Sequence, residues 1–196
     1  MKNAAIVFHS VCGNTYLLAQ SFRRALSNAG VSACIFRTDD RNLEALIPKF
    51  AASREFGRDI LAVPVISDAS VLSDYDAIFM GSPTYFGNVS ASMKTFMDAF
   101  GSMWDNAVLH GKLFCAFASA ATTAGGGDMC LNSLNVFAQH MGMITVPVPS
   151  NALGHPQPAA GFLHCSGADS LMRPENDVDS AIDDYIARFC KISCGL

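Results

Sequence analysis

Residues 4–8 read Ala-Ala-Ile-Val-Phe, and the chain then turns through Ser10-Val11-Cys12-Gly13-Asn14-Thr15 into a segment of helical period. A buried strand that feeds a helix through small polar residues makes an anion cradle. Free N–H groups and the positive end of the helix dipole face one spot, and short hydroxyl side chains add donors. Gly13 permits close backbone approach or a positive φ. The spacing is neither G-x-G-x-x-G nor G-x-x-x-x-G-K-[ST], and it suits one terminal phosphate, as on a mononucleotide. A loop closed by an ordinary Asn or Thr helix cap is the plainer alternative.

The same alternation continues along the chain. From Asn14 to Ala29, residues Leu18, Phe22, Ala25, Leu26 and Ala29 share one helical face, and Gly30 ends the helix. Val31–Phe36 reads as a second strand. A short helix follows near Leu43–Ser53, and the apolar run Ile60–Ile66, broken by Pro64, fits either a sheet-edge strand or an insertion at an oligomer interface. Asp76–Met80 is the third strand, with Gly81-Ser82-Pro83-Thr84 as its loop. Ser90–Phe100 is a helix, Leu113–Ala118 the fourth strand, Met129–Met141 a helix and Ile144–Val148 the fifth strand. Pro149–Pro174 is rich in Pro, Gly, Ala and Ser and reads as a long surface loop before a closing amphipathic helix, Asp179–Ile192. Short apolar strands alternating with helices predict an α/β, doubly wound, five-stranded parallel sheet. At 196 residues, a single domain spanning 1–196 is expected.

In such sheets ligands bind beyond the carboxyl ends of the strands. Three loops with binding chemistry fall there. The first is Ser10–Thr15. The second, Pro83-Thr84-Tyr85-Phe86-Gly87-Asn88, has its shape fixed by Pro and Gly, with Thr84 and Asn88 as polar edges. Its Tyr85 and Phe86 could pack on an aromatic ring or simply fill core. The third, Ser119-Ala120-Ala121-Thr122-Thr123, is small enough to let backbone N–H groups approach a flat polar edge. A phosphate cradle plus two loops that grip a planar heterocycle describe a pocket for non-covalent flavin mononucleotide, FMN.

Ser10–Thr15 resembles the flavodoxin phosphate loop. Further motifs are Gly81-Ser82-Pro83-Thr84-Tyr85-Phe86-Gly87-Asn88, Met93-Lys94-Thr95-Phe96-Met97-Asp98, Trp104, Gly111-Lys112-Leu113 and Gly142-Met143. Together they resemble the tryptophan-repressor-binding-protein (WrbA-type) family of FMN-dependent NAD(P)H:quinone oxidoreductases, within the flavodoxin-like superfamily and close to the NADPH-dependent FMN reductases. The resemblance spans nearly the whole chain. It implies a flavodoxin-like three-layer fold with strand order 2-1-3-4-5. It also implies that Ser10, Val11, Cys12, Gly13, Asn14 and Thr15 bind the phosphate, that Pro83–Asn88 hold the ring and ribityl chain, and that Ser119–Thr123 line the ring's polar edge. Trp104 matches a family Trp that reaches a neighbouring subunit's flavin, so a homo-oligomer, dimer or tetramer, is implied. His140 lies beside the position of a family His, and with Trp104 it is the implied catalytic pair. Cys12, Tyr85, Ala120 and Ala121 depart from common family residues, and if Gly142 anchors the alignment, Met141 replaces the more important family His.

The implied activity passes two electrons from NAD(P)H through FMN to a quinone or similar acceptor. A flavodoxin-type electron carrier without NAD(P)H turnover is the alternative. A net charge of −4 and a sequence pI near 5.6, with no basic stripe, argue against nucleic-acid binding. No apolar run approaches the roughly 18 residues of a membrane span, and no secretory apolar region follows Lys2, so a cytoplasmic protein is expected. Seven scattered cysteines without a C-x-x-C pair predict buried, reduced thiols and no metal site.

Overall fold

The computed structural model describes residues 1–149 and 156–193. Strands β1 (Asn3–Phe8), β2 (Ser32–Arg37), β3 (Ala77–Pro83), β4 (Leu113–Ala120), β5 (Ile144–Thr145) and β6 (Phe162–Cys165) form one parallel sheet. The order is β2-β1-β3-β4-β5, with β6 also on β4. The expected five-strand order stands, but the outer edge is divided. β5 covers Leu113 and Phe114, whereas β6 covers Phe117 to Ala120.

Apolar alternation divides β1, β3 and β4 between two cores. Ala4, Ile6 and Phe8 pack with Phe79, Phe117 and the helices α1 (Asn14–Asn28) and α7 (Asn176–Ser193). Ala5, Val7, Ile78 and Met80 face α4 (Ala91–Asp98), α5 (Gly101–Asp105) and α6 (Gly127–His140). Successive side chains point to opposite faces, so central strands that are apolar throughout must be covered on both, and three layers result. Gly81 marks where the layers are tightest: a Cβ there would lie 1.9 Å from the Phe117 ring on β4.

Four local expectations are corrected. The run at Ile60–Ile66 is not a strand. Its first half ends α3 (Gly57–Ala62), and Val65 makes an isolated parallel bridge to Arg37. Leu43–Ser53 forms α2 (Leu43–Leu46) and two 3-10 turns instead of one helix, with Pro48 inside the first of those turns. The stretch 149–174 contains β6, whose Phe162 is fully buried, so it is no simple surface loop; residues 150–155 of it lie outside the described residues. The cysteines are not uniformly buried. Cys115 and Cys130 are, but Cys34 is exposed, and Cys194 lies outside the described residues.

Candidate functional site

The strand ladders run on past the strands and bring four loops together. His9 N–H donates to Gly81 O at 3.0 Å, Thr84 N–H to Ser119 O at 2.7 Å, and Ser166 N–H to Ala120 O at 2.8 Å. The loops after β1, β3, β4 and β6 are thereby fixed side by side. Between them lies a cavity of about 230 Å³. The first loop lines it with Ser10, Val11, Cys12, Asn14 and Thr15, and the second with Pro83, Thr84 and Tyr85. Ser119, Ala120 and Ala121 close the third side, and Ser166 and Ser170 the fourth. This volume is below the roughly 300–1,000 Å³ of a pocket that encloses a drug-sized ligand. It accommodates one end of a nucleotide, with the remainder over the open rim.

The donor chemistry of that end suits an anion. Gly13, at φ 98°, precedes α1, and no side chain caps the helix. The first N–H groups of a 15-residue helix are therefore left to the cavity side, although Asn14 and Thr15 are 3% and 1% exposed. Gly13 itself is required twice. Its φ is left-handed, and a Cβ would meet the Phe56 ring at 2.7 Å. Its N–H donates to Ser10 Oγ at 3.2 Å, and the Thr15 and Ser119 hydroxyls bond at 2.8 Å across the cavity floor. Two buried side-chain oxygens, Asn14 Oδ1 and Thr84 Oγ1, have no hydrogen-bond partner among the described residues. Buried polar groups are seldom left so; Asn14 Oδ1 can accept from a ribityl hydroxyl, and the Thr84 hydroxyl can donate to a phosphate or ribityl oxygen. The residues present thus fit FMN.

The second loop ends in a two-residue hairpin. Tyr85 and Asn88 exchange backbone hydrogen bonds of 2.9 and 3.0 Å, and Phe86 (φ 52°) and Gly87 (φ 75°) have the positive φ values of a type I′ turn. Phe86 is held in a conformation unusual for a bulky residue, with its side chain wholly in solvent. The hairpin rests on the start of α6, where Gly126 leaves only backbone clearance to Gly87. Phe86, Gly87 and Asn88 lie outside the cavity lining, as do Thr122 and Thr123, which form the exposed turn before α6. Asn88 instead borders a surface groove with Lys94, Met97, Met129, Phe137 and His140. His140 is exposed at the end of α6, and Trp104 is 56% exposed on α5. Within one chain neither reaches the cavity lining.

Ser166 and Ser170 escaped the sequence reading. Apolar Phe162 and Leu163 followed soon by Ser166-Gly167 form a strand-then-small-turn signal, but the Pro and Gly around them masked it. A further cavity of about 470 Å³ adjoins the first, sharing Val11 and Tyr85. It holds a pair of buried His9 and half-buried Asp40, with Nε2 and Oδ2 3.0 Å apart. Burial outweighs Asp40 and lowers the His9 pKa. Burial likewise pushes the Cys115 thiol up to about 12 and Cys130 to about 11, so neither is a nucleophile. No group of three or more metal-ligating side chains occurs among the described residues.

A flavodoxin-type sheet with an uncapped helix start and three small-residue loops at its carboxyl edge defines the class of FMN flavoproteins. Residues 4–157 match the model of the NADPH-dependent FMN reductase family. An NAD(P)H dehydrogenase (quinone) of Chromohalobacter salexigens is 33% identical over 150 residues, 76% of this chain and 72% of the relative. Another, of Solidesulfovibrio magneticus, is 32% identical over 188 residues, 91% and 92% of the two chains. The crystal structure of a WrbA-like flavodoxin from Agrobacterium tumefaciens superposes with a TM-score of 0.65 at 20% identity, covering 100% and 99%. Flavodoxin 1 of Bacillus cereus gives 0.64 at 19%, covering 97% and 98%. The chain belongs to the NADPH-dependent FMN reductase family and so to the FMN-dependent oxidoreductases.

Proposed function

We propose that the protein binds FMN in the four-loop cavity and passes two electrons from NAD(P)H to a quinone, acting as one flavodoxin-like unit within a homo-oligomer. The observation that carries this reading is the meeting of an uncapped α1 start, two unpaired buried oxygens and small-residue loops at one sheet edge. The names of the relatives, NAD(P)H dehydrogenase (quinone), support the donor and acceptor. Bound FMN would supply the capacity to take up a hydride and release two electrons.

The chain's residues bind, orient and shield. Ser10, Asn14, Thr15 and the N–H groups of the loop hold the phosphate by oriented dipoles. Ser119, Ala120 and Ala121, at the end of β4, would line the edge of the ring, where preorganised donors stabilise developing negative charge. Tyr85 and Phe86 offer aromatic surface at the rim. His140 and Trp104 can join the site only across a subunit boundary, and exposed Phe86, Trp104, Met129 and Val136 provide apolar area for such a contact. Among the described residues no helix is long and apolar enough to cross a membrane; the exposed, unpaired Cys34 supports a reducing, cytoplasmic setting.

Anaerobic titration of the FMN-loaded protein with NADH and NADPH tests the reading. Bleaching of the flavin absorbance, restored by benzoquinone, is expected. A bound flavin that neither nicotinamide bleaches would instead mark an electron carrier.

A further inference from the structure

The phosphate loop carries no charge of its own: Ser10, Val11, Cys12, Gly13, Asn14 and Thr15 are all neutral. A phosphomonoester near neutral pH carries about −1.5 to −2, and a helix start offers only about +0.5. The structure sets a cation directly behind the loop. Arg173, 161 residues downstream of Cys12, donates through Nη1 to Cys12 O at 2.7 Å and Ser170 O at 3.1 Å. Its Nη2 donates to Ala52 O at 2.8 Å and Glu55 Oε2 at 3.2 Å. The guanidinium also stacks 5.0 Å from the centre of the Phe56 ring, the ring that backs Gly13.

We propose that residues 166–173 form a clamp on the phosphate end of the site. In it, Arg173 is the positioning residue that orients the phosphate loop and supplies the counter-charge for a flavin phosphomonoester. This rests on the FMN reading above. The Cys12–Gly13 peptide carries the effect: its carbonyl is held outward by Arg173, and its N–H is therefore turned inward, toward Ser10 Oγ. Asn14 is tied to the same segment, its Nδ2 donating to Ser170 O at 2.8 Å, which leaves Oδ1 to accept from a hydroxyl of the ribityl chain. Ser170 has φ 60°, a left-handed conformation that a serine adopts only when its surroundings impose it. Three carbonyls on three segments fix the fork of Arg173, a geometry that a lysine cannot reproduce. Glu55, 3.2 Å from Nη2, offsets part of that charge, and its 60% exposed side chain is screened only in part by water.

The test compares FMN with riboflavin, which lacks the phosphate, by fluorescence titration of the full chain. Arg173→Met is expected to weaken FMN binding tenfold or more while riboflavin changes less than about twofold. Arg173→Lys recovers part of the FMN affinity, because charge returns without the fork. Glu55→Gln, which spares all three carbonyl contacts, raises the FMN-to-riboflavin affinity ratio. Equal losses for both flavins in Arg173→Met, or none, would overturn the clamp, and a Glu55→Gln ratio that stays or falls would overturn the counter-charge. A wild-type chain that binds neither flavin overturns the FMN reading and this inference together; wild-type binding with unmoved variants overturns this inference alone.

Discussion

Phe86 adopts a conformation at odds with stability. It occupies the first central position of a type I′ hairpin at φ 52°, and its side chain is fully exposed. A left-handed conformation costs an ordinary L-residue roughly 1–2 kcal/mol, and Asn escapes much of that through local hydrogen bonding. No apolar area is buried by the ring in the single chain, so no packing offsets the strain. Phe86→Asn should therefore stabilise the cofactor-free, dilute chain by about 1 kcal/mol. For a chain of this size that is a rise in Tm of about 2–4 °C, or about 0.3–0.5 M in the urea midpoint. Phe86→Ala keeps the strain and loses the ring, and should change stability little. Both variants should lower quinone turnover, because the strain persists only if the exposed ring meets a ligand or a neighbouring subunit. Urea unfolding at two protein concentrations, with turnover measured on the same samples, decides it. A loss of 1 kcal/mol or more in Phe86→Asn at the lower concentration, with turnover intact, would refute the reasoning.

Gly81→Ala places a methyl 1.9 Å from the fully buried Phe117 ring; overpacking of this kind costs about 1–3 kcal/mol, and thermal melting should show a large fall. His9 is more basic unfolded than folded, since burial lowers its pKa. The unfolded chain then binds the extra proton, so the His9 contribution is complete above about pH 6.5 and is lost as pH falls toward the folded value, at no more than about 1.4 kcal/mol per pH unit. His9→Gln should flatten that limb of the stability curve measured by denaturant at several pH values. Trp104→Ala, half-exposed on α5, should leave FMN affinity unchanged but reduce quinone turnover and weaken self-association in sedimentation.

The central sheet was legible because its strands are apolar on both faces. Ala77–Met80 and Leu113–Ala118 admit no surface assignment, and the helices between them show one apolar stripe each. β3 and β4 proved longer than their apolar runs, since Gly81-Ser82-Pro83 and Ser119-Ala120 continue the ladder, whereas β5, expected over Ile144–Val148, ends at Thr145. β6 was missed for a related reason. Four residues in a stretch dense with Pro and Gly become a strand only because β5 stops after Thr145 and leaves the far half of β4 unpaired. Pairing across such a sequence distance has no local signature. The turn from β1 into α1 was legible from its own six residues, five of which line the cavity, whereas the place of Arg173 behind them was not, because it depends on where the chain returns after β6.

The divided edge strand and the clamp are one arrangement. Had the fifth strand run unbroken along β4, the chain would have left the sheet edge at once toward α7. Ending β5 early lets the chain return as β6 against the carboxyl half of β4, which delivers Ser166 and Ser170 to the cavity and Arg173 to the back of the phosphate loop. A site built from neutral donors gains its cation without placing a lysine or arginine beside the ring, where a long flexible chain would compete with substrate for space. The same route explains why Cys12 is accepted in the loop: its carbonyl is engaged by Arg173 and its Sγ by Ser53 Oγ at 3.8 Å, so the loop's shape depends on its backbone and not on a hydroxyl at that position.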